Sequence, residues 1–166
     1  MGSAFQKVVI STVFVMGVSI SSWAQAQTLN KCSNGPLMVG KKQVGVARYF
    51  AQNCSQSWKE QNIQMDFSYT QNIPEWAFKR AATHLLKRNV KDPNIQAIFN
   101  PITELYRPVR SGDLYRLKYN HYTQTLSLSL NRKDLGQLQH PLAQQYFNIW
   151  LGPQPFSAKL KQQLLN

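Results

Sequence analysis

The sequence predicts an α+β fold in which an antiparallel β-sheet is packed on one face by a layer of α-helices, and three observations predict it. The extended segments alternate apolar and polar side chains, so each has a single apolar face. The helical segments each carry one apolar stripe. Their order is strands, helices, strands, helices, without internal repeats, which suits an open-faced sandwich.

The first 26 residues stand apart from this pattern. Lys7 precedes an uncharged, mostly apolar run at 8–20, short of the about 20 residues that a membrane span needs, and Ala24 and Ala26 fit the small-x-small rule for signal peptidase. A signal peptide cleaved after Ala26 is expected, which makes residues 27–166 a single domain exported to the periplasm. Its 140 residues are enough to bury a real core. Loss of Lys7 takes the net charge from +12 to +11. That excess favours anionic lipid head groups, a membrane surface or acidic polymers, and export argues against nucleic acid. The cations are scattered along the chain and fit a solubilising role equally well. A monomer is expected.

The elements follow in order. Short strands are expected at 37–41 and 44–51, behind a turn at Ser33-Asn34-Gly35-Pro36. The strand at 62–70 points Ile63, Met65, Phe67 and Tyr69 one way and Gln64, Asp66 and Ser68 the other. Pro74 suits the first turn of a helix whose stripe is Phe78, Ala81, Ala82, Leu85 and Leu86. Asp92-Pro93 opens a second helix carrying Ile95, Ile98 and Phe99, interrupted or ended by Pro101. Residues 104–110 fit neither period.

After the turn Ser111-Gly112-Asp113, Tyr115, Leu117 and Tyr119 alternate with Arg116 and Lys118, and Leu126, Leu128 and Leu130 alternate with Ser127 and Ser129. The short link Asn120-His121-Tyr122-Thr123 makes these an antiparallel hairpin. A third strand is expected at 135–139. Pro141 then opens a helix with Leu142, Tyr146, Ile149 and Trp150 on one face, closed by Gly152-Pro153, and Ser157 caps a last short helix at 158–165.

Cys32 and Cys54 are the two cysteines. An even count in an exported chain, with no histidine nearby in sequence, favours a bridge over a reactive thiol. Closing a loop of about 20 residues stabilises a fold by roughly 3 kcal/mol on the chain-entropy account.

The C-terminal half carries a resemblance. Arg110-Ser111-Gly112-Asp113-Leu114-Tyr115-Arg116-Leu117-Lys118-Tyr119 resembles the Gly-Asp-led strand of the chalcone isomerase-like proteins. Leu126 to Gly136 resembles that family's next strand, turn and strand, with Arg132 where a glycine is usual. Ile149-Trp150-Leu151-Gly152-Pro153-Gln154-Pro155, followed by Leu160 to Leu165, resembles the ending common in bacterial exported members. The likeness extends back to about residue 62 and faintly to 37. It implies an open-faced sandwich with an apolar cleft between curved sheet and helices. Some members cyclise chalcones with an arginine and a threonine from early strands plus a tyrosine and an asparagine, whereas others bind fatty acids without catalysis. No threonine occurs between Thr28 and Thr70 and no arginine of residues 27–166 precedes Arg48, so the early-strand pair has no counterpart and cyclisation is not expected.

The residues themselves offer no phosphate-cradling glycine loop, nucleophile elbow or Cys/His metal spacing. His84, His121 and His140 stand far apart, and the carboxylates are dispersed. No catalytic residue, metal ligand or cofactor is therefore assigned. The aromatic supply on the core-facing stripes is the one suggestive feature. Tyr69, Phe78, Leu85, Tyr115, Tyr119, Tyr146 and Trp150 are either plain core or the walls of a cleft, with tyrosine hydroxyls as its polar groups. Three readings follow: a non-catalytic module holding an apolar or amphipathic ligand such as a fatty acid, an isomerase or lyase of chalcone-like substrates, and a basic envelope-associated structural protein.

Overall fold

In the computed structural model, which describes residues 28–166, six strands form one antiparallel sheet ordered as they occur in the chain. They are β1 (Asn30–Val39), β2 (Lys42–Ala51), β3 (Ile63–Tyr69), β4 (Leu114–Asn120), β5 (Thr125–Leu130) and β6 (Lys133–Gln139). Helices α1 (Glu75–Asn89) and α2 (Ile95–Thr103) are inserted between β3 and β4, while α3 (Asn148–Leu151) and α4 (Ala158–Leu165) follow β6. The expected signal peptide and its cleavage site lie outside the described residues.

The period-two reading sorts the two faces of the sheet. Ala47, Tyr49 and Ala51, Ile63, Met65 and Phe67, Tyr115, Leu117 and Tyr119, and Leu126 and Leu128 are all buried, and the register sets Ala47 beside Phe67, Met65 beside Leu117, and Leu117 beside Leu128. Each large side chain buried this way contributes about 2 kcal/mol. Helix α4 packs on β1, α2 on β6, and α1 on α2 and α3, so the helical layer covers this face as expected.

On the opposite face Arg48, Asp66, Arg116 and Ser129 stand in one cross-strand row. Asp66, an outward residue of an alternating strand, is nevertheless buried, because the Arg116 guanidinium lies over it and donates from Nε and Nη2 at 2.8 and 2.7 Å. Gln64 donates to the same carboxylate, and Arg48 donates to Ser68 Oγ.

Three expectations are corrected. Ser33-Asn34-Gly35-Pro36 is not a turn but lies within β1, where Gly35 pairs with Ala47 and Pro36 with Val46. Proline is tolerated there because β1 is an edge strand. The reversal falls instead between Val39 and Lys42, at Gly40 with φ of 60°. Pro101 does not end its helix. The chain stays helical to Thr103, with Ile102 and Thr103 buried and the Glu104 amide donating to Asn100 O at 2.9 Å. The helix expected after Pro141 begins as a 3-10 segment, Ala143–Phe147, before one turn of α3. Three residues per turn align Ala143, Tyr146 and Ile149, and all three are buried.

Two further devices are as expected. Ser157 Oγ accepts from the Leu160 amide at 3.2 Å and caps α4. Cys32 and Cys54, 22 residues apart, form a disulfide that ties the edge strand to the loop after β2.

The β5–β6 turn places both Asn131 and Arg132 at positive φ, 52° and 67°. Asparagine accepts that conformation readily, and here its side chain is also held, accepting from Leu114 N at 2.9 Å and donating to Asp113 Oδ1 at 2.7 Å. Arginine gains nothing comparable from the left-handed region, which costs a side chain about 1–2 kcal/mol and glycine very little. Arg132→Gly is therefore expected to raise stability by about 0.5–1 kcal/mol after the greater freedom of glycine in the unfolded chain is subtracted. Urea denaturation measures this, and a lowered midpoint would contradict the account of the turn.

Candidate functional site

Between the β1–β3 half of the sheet and the helices lies a cleft of about 260 Å³. Its space comes from small side chains on α1. The apolar stripe of that helix turns Ala77, Ala81 and Ala82 toward the sheet, and Phe78 and Leu85 bound the hollow that the alanines leave. Phe67 and Tyr69 of β3 form the sheet wall. Trp150 of α3 closes one side against Phe67, ring centroids 4.6 Å apart, and Phe78 packs edge-on against Tyr69 at 5.6 Å and stacks on Tyr106 at 5.3 Å.

The rim near the β1–β2 hairpin is shaped by a bulge. Leu37 pairs with Gly45, but Met38 pairs with Gln43, so Val44 is skipped in the register and the alternation of β2 shifts. As a result Val44 joins Leu37 and Val39 as cleft lining. Gly45 permits this path, since a Cβ at that position would collide with the backbone carbonyl oxygen of Ser68 on β3. Val39 is 57% exposed, so the cleft opens to solvent at this hairpin.

None of the lining side chains is charged, and two carry hydroxyls, Tyr69 and Tyr106. Burial pushes the Tyr69 hydroxyl far above the ordinary phenol range, with a smaller contribution from neighbouring Tyr115. Burial, reinforced by Tyr146, does the same to Tyr106. Both groups are thus neutral hydrogen-bonding hydroxyls at any physiological pH. The Tyr106 and Tyr146 hydroxyls bond to each other, and Tyr146 Oη lies 3.2 Å from Thr103 Oγ1. The Tyr69 hydroxyl has no hydrogen-bond partner among the described residues. Since no fully enclosed side-chain polar atom is left unpaired among them, it borders the open space of the cleft.

Of the seven residues proposed from sequence as cleft walls, the structure brings Tyr69, Phe78, Leu85 and Trp150 together around this space. Tyr115, Tyr119 and Tyr146 do not line it. The Tyr115 ring lies behind Tyr69 and Phe78, and its hydroxyl is spent on Arg107, accepting from the amide and donating to the carbonyl, each at 2.7 Å. Tyr146 is fully enclosed by the core. Tyr119 is buried toward the β4–β5 end of its strand, near His121. Over that half of the sheet α2 packs on β6 and the 143–147 segment on β5, and the three rings are buried in the core.

Residues missed by the sequence reading include the alanines of α1, the hairpin valines Val39 and Val44, and Tyr106 and Phe156 on connecting segments. Ala81 and Ala82 were visible as part of a stripe, and their smallness was the available signal. Among the described residues, no cluster of His, Cys, Asp or Glu could hold a metal ion.

A family model described as chalcone isomerase-like matches residues 49–166. Among solved structures, the chain is similar to the crystal structure of a fatty-acid binding protein from Arabidopsis thaliana, with a TM-score of 0.63 and 13% identity, covering 82% of this chain and 86% of that one. At that identity the likeness is one of fold. Comparison with curated proteins finds no match.

Proposed function

We propose that this chain, which belongs to the chalcone isomerase-like family, is a non-catalytic binding protein that works outside the cytoplasm and holds an apolar or amphipathic ligand such as a fatty acid in the cleft beneath α1. The observation that carries this reading is the lining: apolar throughout, with two neutral hydroxyls and no charged side chain. Such a surface stabilises a hydrocarbon tail by removing it from water, without any directional chemistry. The solved relative of like fold carries fatty-acid binding in its description, which agrees with that use of the architecture.

An isomerase reading finds less support. The resemblance implies an early-strand arginine in the cleft, but Arg48 projects from the opposite face of the sheet toward Ser68. Leu37, Val39 and Val44 occupy the early-strand positions that face the cleft. Export rests on the leader pattern in residues 1–26, and amino-terminal sequencing of protein from a periplasmic fraction, starting at Gln27, is the result that agrees with it.

Ligand occupancy is tested by mass spectrometry of an organic extract of the purified protein and by calorimetric titration with decanoate. Lipid in the extract and saturable binding are expected. Ala81→Trp, which fills the hollow, is expected to weaken binding at least tenfold while circular dichroism keeps the native spectrum. Unchanged affinity in a folded variant would place binding elsewhere.

A further inference from the structure

The proposed cleft gives a ligand's polar end two places to go, and the structure decides between them. Inside, the available group is the Tyr69 hydroxyl, a neutral donor held far from ionisation by burial. At the mouth stands Lys42. The bulge that turns Val44 into the cleft also sets Lys42 directly opposite Val39, and opposed residues of an antiparallel ladder project to the same side. Val39 lines the cleft, so Lys42 rises from the cleft side of the rim. It is exposed and in no ion pair with a described residue.

A carboxylate drawn inward would lose its hydration and meet one phenol, with no cation among the lining residues to offset the loss. Left at the rim, it keeps its water and gains an ammonium partner whose flexible stem can follow it. Resting on the binding function proposed above, we infer that the ligand is a long-chain anion bound tail first, with its head group outside the cleft and paired to Lys42. The ligand class is thereby narrowed to anionic amphiphiles, in preference to neutral lipids of equal length.

Decanoate and 1-decanol, equal in chain length but differing in charge, are the probes, titrated into the wild type, Lys42→Met and Tyr69→Phe. Lys42→Met is expected to weaken decanoate about fivefold and to leave 1-decanol unchanged, a size typical of a solvent-screened ion pair. Tyr69→Phe, which removes only the hydroxyl inside the cleft, is expected to weaken decanoate less than Lys42→Met does. Decanoate affinity should also fall with added salt in the wild type and not in Lys42→Met. Decanoate bound equally by the wild type and Lys42→Met, or weakened by Tyr69→Phe alone, would overturn the head-out orientation while leaving the binding function standing. Failure of both probes to bind the wild type would overturn the binding function, and this inference with it.

Discussion

Decanoate is expected to bind about 200-fold more tightly than hexanoate, with little further gain once the chain exceeds about twelve carbons. Each buried methylene contributes about 0.8 kcal/mol, so four of them amount to about 3 kcal/mol, or roughly a factor of 200 in affinity. The plateau comes from the size of the space. A dry cavity of about 150 Å³ accepts benzene, and the cleft, at about 260 Å³, scales to roughly ten non-hydrogen atoms. Calorimetry across a series of even-numbered fatty acids tests both parts. An affinity independent of chain length would mean that the tail is not in the cleft.

Gly45→Ala is expected to cost at least about 3 kcal/mol or to prevent folding altogether. The obstacle to a Cβ at Gly45 is the Ser68 carbonyl in the neighbouring strand, which cannot rotate away as a flexible side chain can. Its control is Gly40→Ala in the adjacent hairpin. There a Cβ meets open space, and the cost is only that of a φ near 60° in a residue with a side chain, about 1 kcal/mol. Denaturation midpoints of the two variants make the comparison. Equal losses would mean that β2 and β3 can part without harm at this point, and that the bulge that carries Val44 to the cleft does not depend on glycine.

What the sequence made legible was side, and what it left illegible was depth. Ile63, Met65, Phe67 and Tyr69 announced their common face because a strand alternates, and Phe78, Ala81, Ala82, Leu85 and Leu86 announced theirs because a helix turns every 3.6 residues. The hairpin of Tyr115 to Leu130 and the Ser157 cap were legible for the same local reasons. Alternation says only that Tyr69 and Tyr115 both point inward. That Tyr69 meets the cleft while Tyr115 lies behind it depends on α1, which joins them from elsewhere in the chain. Ser33 to Pro36 misled because glycine and proline punctuate turns far more often than they sit in an edge strand. A Cβ on Gly35 would come within 2.8 Å of Leu160 Cδ1 on α4, a tertiary reason that no local pattern contains. The cleft itself was hardest to read, since it is made by atoms that alanine lacks.

The row of Arg48, Asp66 and Arg116 gives the molecule a front and a back. On the back, the Arg116 guanidinium covers one enclosed carboxylate, and an oily visitor settling there would have to strip water from the cations and disturb the aspartate that Arg116 shelters. Water itself is the better cover for that side. Cargo of the kind proposed is therefore turned away from most of that surface, and the opening among the described residues lies on the other side, by the hairpin at the margin.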